Sequence, residues 1–172
     1  MALNATPGSP TADSYATVAE GDAYHDTSLF ATGWTGAVLA DKERALKMAT
    51  RLLDSYYTWL GQRTFSDQAL GFPRTGLFRD TTIVVDSATI PPEIRNATAE
   101  FGKFLLANDP NQQNEAAAQG ITKIKVSTIE LTFKDVIESK SIPDFIDLMI
   151  PEEWYVGGVV EDDLKSSIFE IV

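Results

Sequence analysis

The sequence predicts a mainly α protein with a minor β part: a small helical bundle carrying a short strand or extended arm and a C-terminal extension. Three observations predict it. Ala45, Met48/Ala49, Leu52/Leu53, Tyr56 and Leu60 recur at the i, i+3/i+4, i+7 spacing of one buried helix face. Ile90-Pro91-Pro92-Glu93-Ile94 places proline in a helix's first turn, where its missing N–H is harmless. Strand-like stretches, by contrast, are few and short.

Taken in order, Met1 to Pro10 is rich in Ala, Thr, Pro, Gly and Ser, and residues 1–13 read as a flexible N-terminal arm with neither the basic nor the apolar part of a secretory leader. Thr17-Val18-Ala19-Glu20 is a capping box opening a helix to about Leu29. Gly33, Trp34 and Gly36 break that pattern, and Asp41 is expected to cap the long helix, which Gly61 would stop. Thr81 to Val85 is a short β-rich run; the proline-led helix follows and ends near Asn108-Asp109-Pro110. Ile121 to Phe133 alternates apolar and polar residues with a slip at Ser127-Thr128, as in a bent strand or two short ones. Pro143 to Ile150 reads as a last short helix, so residues 14–150 form the core and 151–172 the extension.

At 172 residues the chain suits one domain, and no apolar run approaches the ~20 residues of a membrane span. With no cysteine there is no disulfide, thiolate nucleophile or Cys-ligated metal, and His25 is the only histidine, so a Ser–His scheme has one candidate base and a zinc site too few ligands. Adjacent carboxylates such as Glu152-Glu153 and Asp162-Asp163 sit in an acidic run, and Gly157-Gly158 lacks the Lys-Ser/Thr of a phosphate loop. No enzyme and no cofactor is expected.

The segment from Gly61-Gln62-Arg63-Thr64 to Gln68-Ala69-Leu70-Gly71-Phe72-Pro73-Arg74-Thr75-Gly76 is not an ordinary linker. It interleaves large apolar side chains with glycines, a proline and two arginines, a composition that fixes one backbone shape. Arg63 and Arg74 are placed to brace backbone carbonyls or a carboxylate, or else to meet a partner. Together with Tyr24-His25 before it and Ile90-Pro91-Pro92-Glu93-Ile94 after it, this pattern resembles a family of tailed-phage head–tail adaptor (connector or head-completion) proteins, often labelled DnaT-like single-stranded DNA-binding. The likeness covers about residues 14 to 107; Phe72 stands where the family more commonly has Trp, and the chain beyond Asn111 matches only loosely.

The resemblance implies a virion neck component, made in the host cytoplasm, that forms a homo-oligomeric, twelvefold ring between the portal protein and a tail-side protein, with DNA passing through as cargo. It also implies attachment through a terminal extension. Trp154, Tyr155, Ile168, Phe169 and Ile171 are too apolar for a free tail, and would either fold back as an edge strand or dock on another subunit, which the resemblance favours.

Charge bears on the same choice. The formal net charge is −11, and residues 143–172 hold Asp144, Asp147, Glu152, Glu153, Glu161, Asp162, Asp163 and Glu170 against Lys165 alone. Affinity for nucleic acid comes from Lys and Arg displacing counterions, which an acidic chain opposes. Arg44, Lys47 and Arg51, with Lys42 nearby, form one positive helix stripe, which usually means a solvated face. The alternative function, a single-stranded DNA-binding accessory protein, needs a basic groove with stacking rings; Trp34, Tyr56, Tyr57, Trp59 and Phe65 are the candidate rings.

Overall fold

The computed structural model describes residues 2–79, 82–109, 123–126, 129–132 and 142–156. Two expectations survive in it, the long amphipathic helix and the proline-led one; the bundle does not. Helices α1 (Val18–His25), α2 (Thr32–Thr35), α3 (Leu39–Tyr56), α4 (Pro92–Ala107) and α5 (Asp144–Asp147) are joined by four two-stranded antiparallel sheets. These pair β1 (Thr58–Trp59) with β8 (Tyr155–Val156), β2 (Gln62–Arg63) with β3 (Arg74–Thr75), β4 (Phe78–Arg79) with β5 (Ile83–Val84), and β6 (Lys123–Val126) with β7 (Ile129–Thr132). The expected helical bundle is therefore corrected to a mixed α/β arrangement. The reason is length: α2 and α5 have a single turn each, so only α3 and α4 offer faces long enough for sustained helix packing.

Between α3 and α4 lies the main core, with Ala49, Leu53, Ile94, Ala97 and Phe101 buried. Its open side is closed by Phe72, Leu77, Val85, Ile142, Ile146 and Trp154, which come from loops, hairpins and short turns. Gly102 on α4 faces α3, and a Cβ there would meet Leu46 Cδ2 at 3.4 Å, an ordinary contact, so the packing does not depend on glycine at this position. A smaller cluster of Ala16, Trp34 and Leu46 sits under α1. There Gly21 is required, because a Cβ would fall 2.6 Å from Trp34 Cζ2.

Element boundaries shift for visible reasons. The capping box of α1 forms as expected, Thr17 Oγ1 accepting from Glu20 N–H and the Glu20 carboxylate from Thr17 N–H, but the helix stops at His25 rather than Leu29. α3 starts two residues before Asp41, with Val38 at its cap, and Asp41 instead pairs with Arg44 in the first turn. It also ends earlier, because Tyr57 turns extended (φ −94°, ψ 134°) and leads into β1. Gly61 (φ +70°) serves the turn between β1 and β2, where a Cβ would sit 2.3 Å from the Thr75 carbonyl. The β-rich run survives as β5, and two short strands, β6 and β7, lie within the alternating run, while Ser127-Thr128 fall outside the described residues.

The expected flexible arm is folded onto the core. Asn4 N–H donates to Asp13 Oδ1 (2.8 Å), Asp13 N–H returns to the Asn4 carbonyl, and Ala69 N–H donates to the Ser9 carbonyl. Lys47 bridges to Asp13 at 2.7 Å, and Tyr15 N–H donates to the buried Thr50 hydroxyl on α3. Side-chain-to-backbone bonds of this kind supply the order that apolar content does not.

Candidate functional site

The loop from Gly61 to Gly76 is held by polar side chains that serve backbone groups. Arg74 leaves β3 and spreads its guanidinium over four carbonyls: Nε to Leu60 (2.6 Å), Nη1 to Gly71 (3.0 Å), and Nη2 to Trp59 (3.1 Å) and Gly61 (2.9 Å). A planar fork of donors can satisfy several acceptors at once, which a lysine could not. Burial pulls the guanidinium somewhat below its ordinary pKa, with the neighbouring Arg63 acting in the same direction.

Gln68 does the same work from inside the loop. Its Oε1 accepts from Phe65 N–H, and its Nε2 donates to the Leu70, Gly71 and Pro73 carbonyls at 2.8, 3.3 and 3.1 Å. The side chain is buried, so each of these bonds replaces one that water would otherwise make. The Phe72–Pro73 peptide bond is cis.

Asp54, near the end of α3, ties loop to helix. Its carboxylate accepts from Trp59 Nε1 and Gly71 N–H (both 2.9 Å) and from the Tyr15 hydroxyl, which in turn accepts from Phe72 N–H at 3.2 Å. Burial first, then the Asp54 charge, pushes the Tyr15 phenol well above its ordinary pKa, so it stays a donor. At Gly71 a Cβ would fall 2.7 Å from Asp54 Oδ1 and Trp59 Cδ1, so glycine is what admits the chain between them.

Next to the loop is an aromatic cluster. Phe72 meets Trp59 edge-on (4.9 Å) and Trp154 (6.3 Å), while Tyr57 lies 4.6 Å from Tyr155 and 4.9 Å from Trp59. Trp154 is completely buried and donates from Nε1 to the Phe78 carbonyl at 2.7 Å. Tyr57 donates to Asp147, and burial followed by that carboxylate raises its pKa far beyond the working range. Arg79 grips Glu93 through two bonds (2.6 and 2.7 Å) and lies 5.8 Å over the Trp154 ring. Burial of Glu93 opposes its ionisation, but the bonds from Arg79 outweigh this and hold it below the usual carboxylate range.

The sequence-predicted residues thus separate. Phe72, Pro73 and Arg74 are brought together as loop organisers, whereas Arg63 sits exposed beside Arg74 in the β2–β3 pairing with no hydrogen bond among the described residues. Trp154 and Tyr155, expected to work on another subunit, are built into this subunit's own core and sheet, because the aromatic cluster and the Phe78 carbonyl form a socket for them. Ile168, Phe169 and Ile171 lie outside the described residues. Sequence reasoning missed Tyr15 and Asp54 as organisers. Asp54 reads as one more solvated acid on a helix, and only the tertiary placement of Gly71 and Trp59 distinguishes it.

On the described surface, six basic side chains are paired with carboxylates. Lys42 pairs with Asp22, Arg44 with Asp41, Lys47 with Asp13, Arg79 with Glu93, Arg95 with Glu20 and Lys103 with Glu100. Trp34, Tyr57, Phe72 and Trp154 are buried, while Leu29, Phe30, Val38 and Leu39 at the corner around α2, and Phe78, Ile83 and Val84 on the β4–β5 hairpin, are exposed.

Among known families, the one described as "Putative DnaT-like ssDNA binding protein" matches residues 1–151. The chain belongs to that family. The match takes in the folded N-terminal segment, the Arg74 loop and α5, so the elements that organise the loop lie within the shared part apart from Trp154 and Tyr155. No curated protein and no solved structure matches the chain.

Proposed function

We propose that the protein is a virion structural subunit, an adaptor joining the portal of a DNA-filled phage head to the tail, rather than a DNA-binding one. The observation that carries this reading is how the positive charge is used. Among the residues whose side chains are described, six basic side chains are matched to carboxylates and Arg74 is spent on carbonyls, leaving Arg51 and Arg63; the chain as a whole carries a net charge of −11. Binding to phosphates needs cations free to displace counterions. Exposed large apolar residues on two separate faces suit protein contacts, and an acidic lumen would let DNA slide without sticking. The partners on this reading are the portal protein, a tail-side neck protein and further copies of the chain in a ring of expected twelvefold symmetry.

A second reading, binding of single-stranded DNA, is favoured by the family's own description and by the exposure of Arg51, Arg63 and Phe65. Fluorescence anisotropy with a labelled oligonucleotide at near-physiological salt separates the two. The adaptor reading expects no binding at micromolar protein and a copy number in intact particles equal to the portal's. Sub-micromolar binding that weakens steeply with salt would establish the second reading instead.

A further inference from the structure

The chain's one histidine sits where a proton would act on a whole corner of the fold. His25, the last residue of α1, is fully buried, its ring 5.0 Å from that of Trp34 on α2 and 5.0 Å from that of Tyr24. Its Nε2 lies 3.1 Å from the Ala99 carbonyl, which can only accept, so the neutral ring carries its proton on Nε2 and a lone pair on Nδ1. That Nδ1 is buried with no hydrogen bond among the described residues, and the group beside it, Glu100 Oε2 at 4.0 Å, is another acceptor. A buried acceptor facing an acceptor is a standing cost that only a proton or water relieves.

The charged groups around the ring leave a proton poorly matched. On α1, Asp22 is held by Lys42 of α3 at 2.7 Å and by Trp34 Nε1 at 2.8 Å, and Tyr24 faces Glu100. On α4, the other Glu100 oxygen holds Lys103 at 2.5 Å. Glu100 is thus already engaged; burial outweighs it and the Ala99 carbonyl, and keeps the imidazole below its ordinary pKa.

The corner is also lightly attached. Trp34, Ala16 and Leu46 form a small cluster apart from the main core, and the α1–α2 connection holds Leu29 and Phe30 in water. Its polar ties to α4 include the His25–Ala99 contact and the half-exposed Arg95–Glu20 pair. Units with few buried contacts open by themselves before the whole domain does.

We propose that His25 is a proton-operated latch, whose protonation releases residues 18–36 from α4 while the α3–α4 core stays closed. Opening hydrates the imidazolium and bares Trp34 beside the already exposed Leu29, Phe30, Val38 and Leu39. The inference is independent of the adaptor reading, because it concerns how the corner is held and not what the protein binds.

Amide hydrogen exchange on the full chain at pH 7.5 and 5.5, corrected for the intrinsic pH dependence of exchange, tests it. Amides of residues 18–36 should be less protected than those of the central turns of α3 at both pH values. Their protection should fall by several-fold to about ten-fold at pH 5.5, the ceiling for a free histidine titrating near 6.5. Glu100→Gln, which removes the facing charge and offers Nδ1 a donor, should enlarge that fall, and His25→Gln should abolish it. Corner amides as protected as those of α3, or equally protected at the two pH values, would overturn the proposal, as would a smaller fall in Glu100→Gln. Because His25 is the only histidine, an NMR titration of the imidazole in the unmodified chain adds a check free of any variant: a midpoint above that of free histidine would overturn it too.

Discussion

Two regions fasten irregular chain to the α3–α4 pair, and they do it with different chemistry. The Gly61–Gly76 loop is held by a guanidinium, an amide and a phenol that stays protonated, all donating to backbone or to Asp54. The corner formed by α1 and α2 is held by groups that titrate: Glu20 to Arg95, Asp22 to Lys42, and the fully buried His25, whose Nε2 meets the Ala99 carbonyl at 3.1 Å while Nδ1 has no hydrogen bond and lies 4.0 Å from Glu100. Both regions use carboxylates, Asp54 in the loop and Glu20 and Asp22 in the corner; what sets the corner apart is a buried imidazole, a group whose charge changes near neutral pH.

The largest expected effect tests the anchor of the loop's aromatic cluster. Trp154→Ala removes a fully buried indole and should cost about 3–5 kcal/mol, measured as a shift of the denaturant midpoint. A loss below about 1 kcal/mol would mean that Trp154 is not part of this core.

Next, Arg74→Ala leaves the Leu60, Gly71, Trp59 and Gly61 carbonyls to find water. It should cost about 2–3 kcal/mol, and Arg74→Lys should recover little of it because an ammonium cannot span the fork. The cost should be the same at pH 5.5 and 7.5, which is the sharper half of the prediction.

The corner should behave oppositely. Burial, the largest influence on His25, lowers its pKa below the ordinary value despite the Ala99 carbonyl and Glu100. The unfolded chain therefore takes up the proton first as pH falls, and stability should decline below about pH 6.5, by about 1.4 kcal/mol for each pK unit of depression. His25→Gln, which keeps a donor toward Ala99, should flatten the melting temperature between pH 7.5 and 5.5. Smallest of all, Arg95→Met removes a half-exposed pair with Glu20 and should cost about 0.2–1 kcal/mol at neutral pH, less at high salt.

How much of this could be read from sequence depends on the range of the interactions. α4 was legible at both ends because Pro91-Pro92 and Asn108 act locally. The capping box of α1 was legible for the same reason, and Arg74 as a brace of carbonyls was one of the readings its surroundings allowed. The carbonyls themselves were not, since Leu60 lies fourteen residues away from Arg74 and nothing local names it as the acceptor. The apolar excess around Trp154 was plain, but its address was not: a pattern reports that an indole needs burial, whereas the socket is made by Phe72 and the Phe78 carbonyl. The bundle failed likewise, because periodicity located two good helix faces and could not show that hairpins, not helices, close the third side.

The stretch shared with the family stops at residue 151, three positions before an indole that fills the centre of this core. The core of this chain therefore reaches past the matched stretch: the loop and the hairpin inside it form a socket whose filling indole comes from outside it.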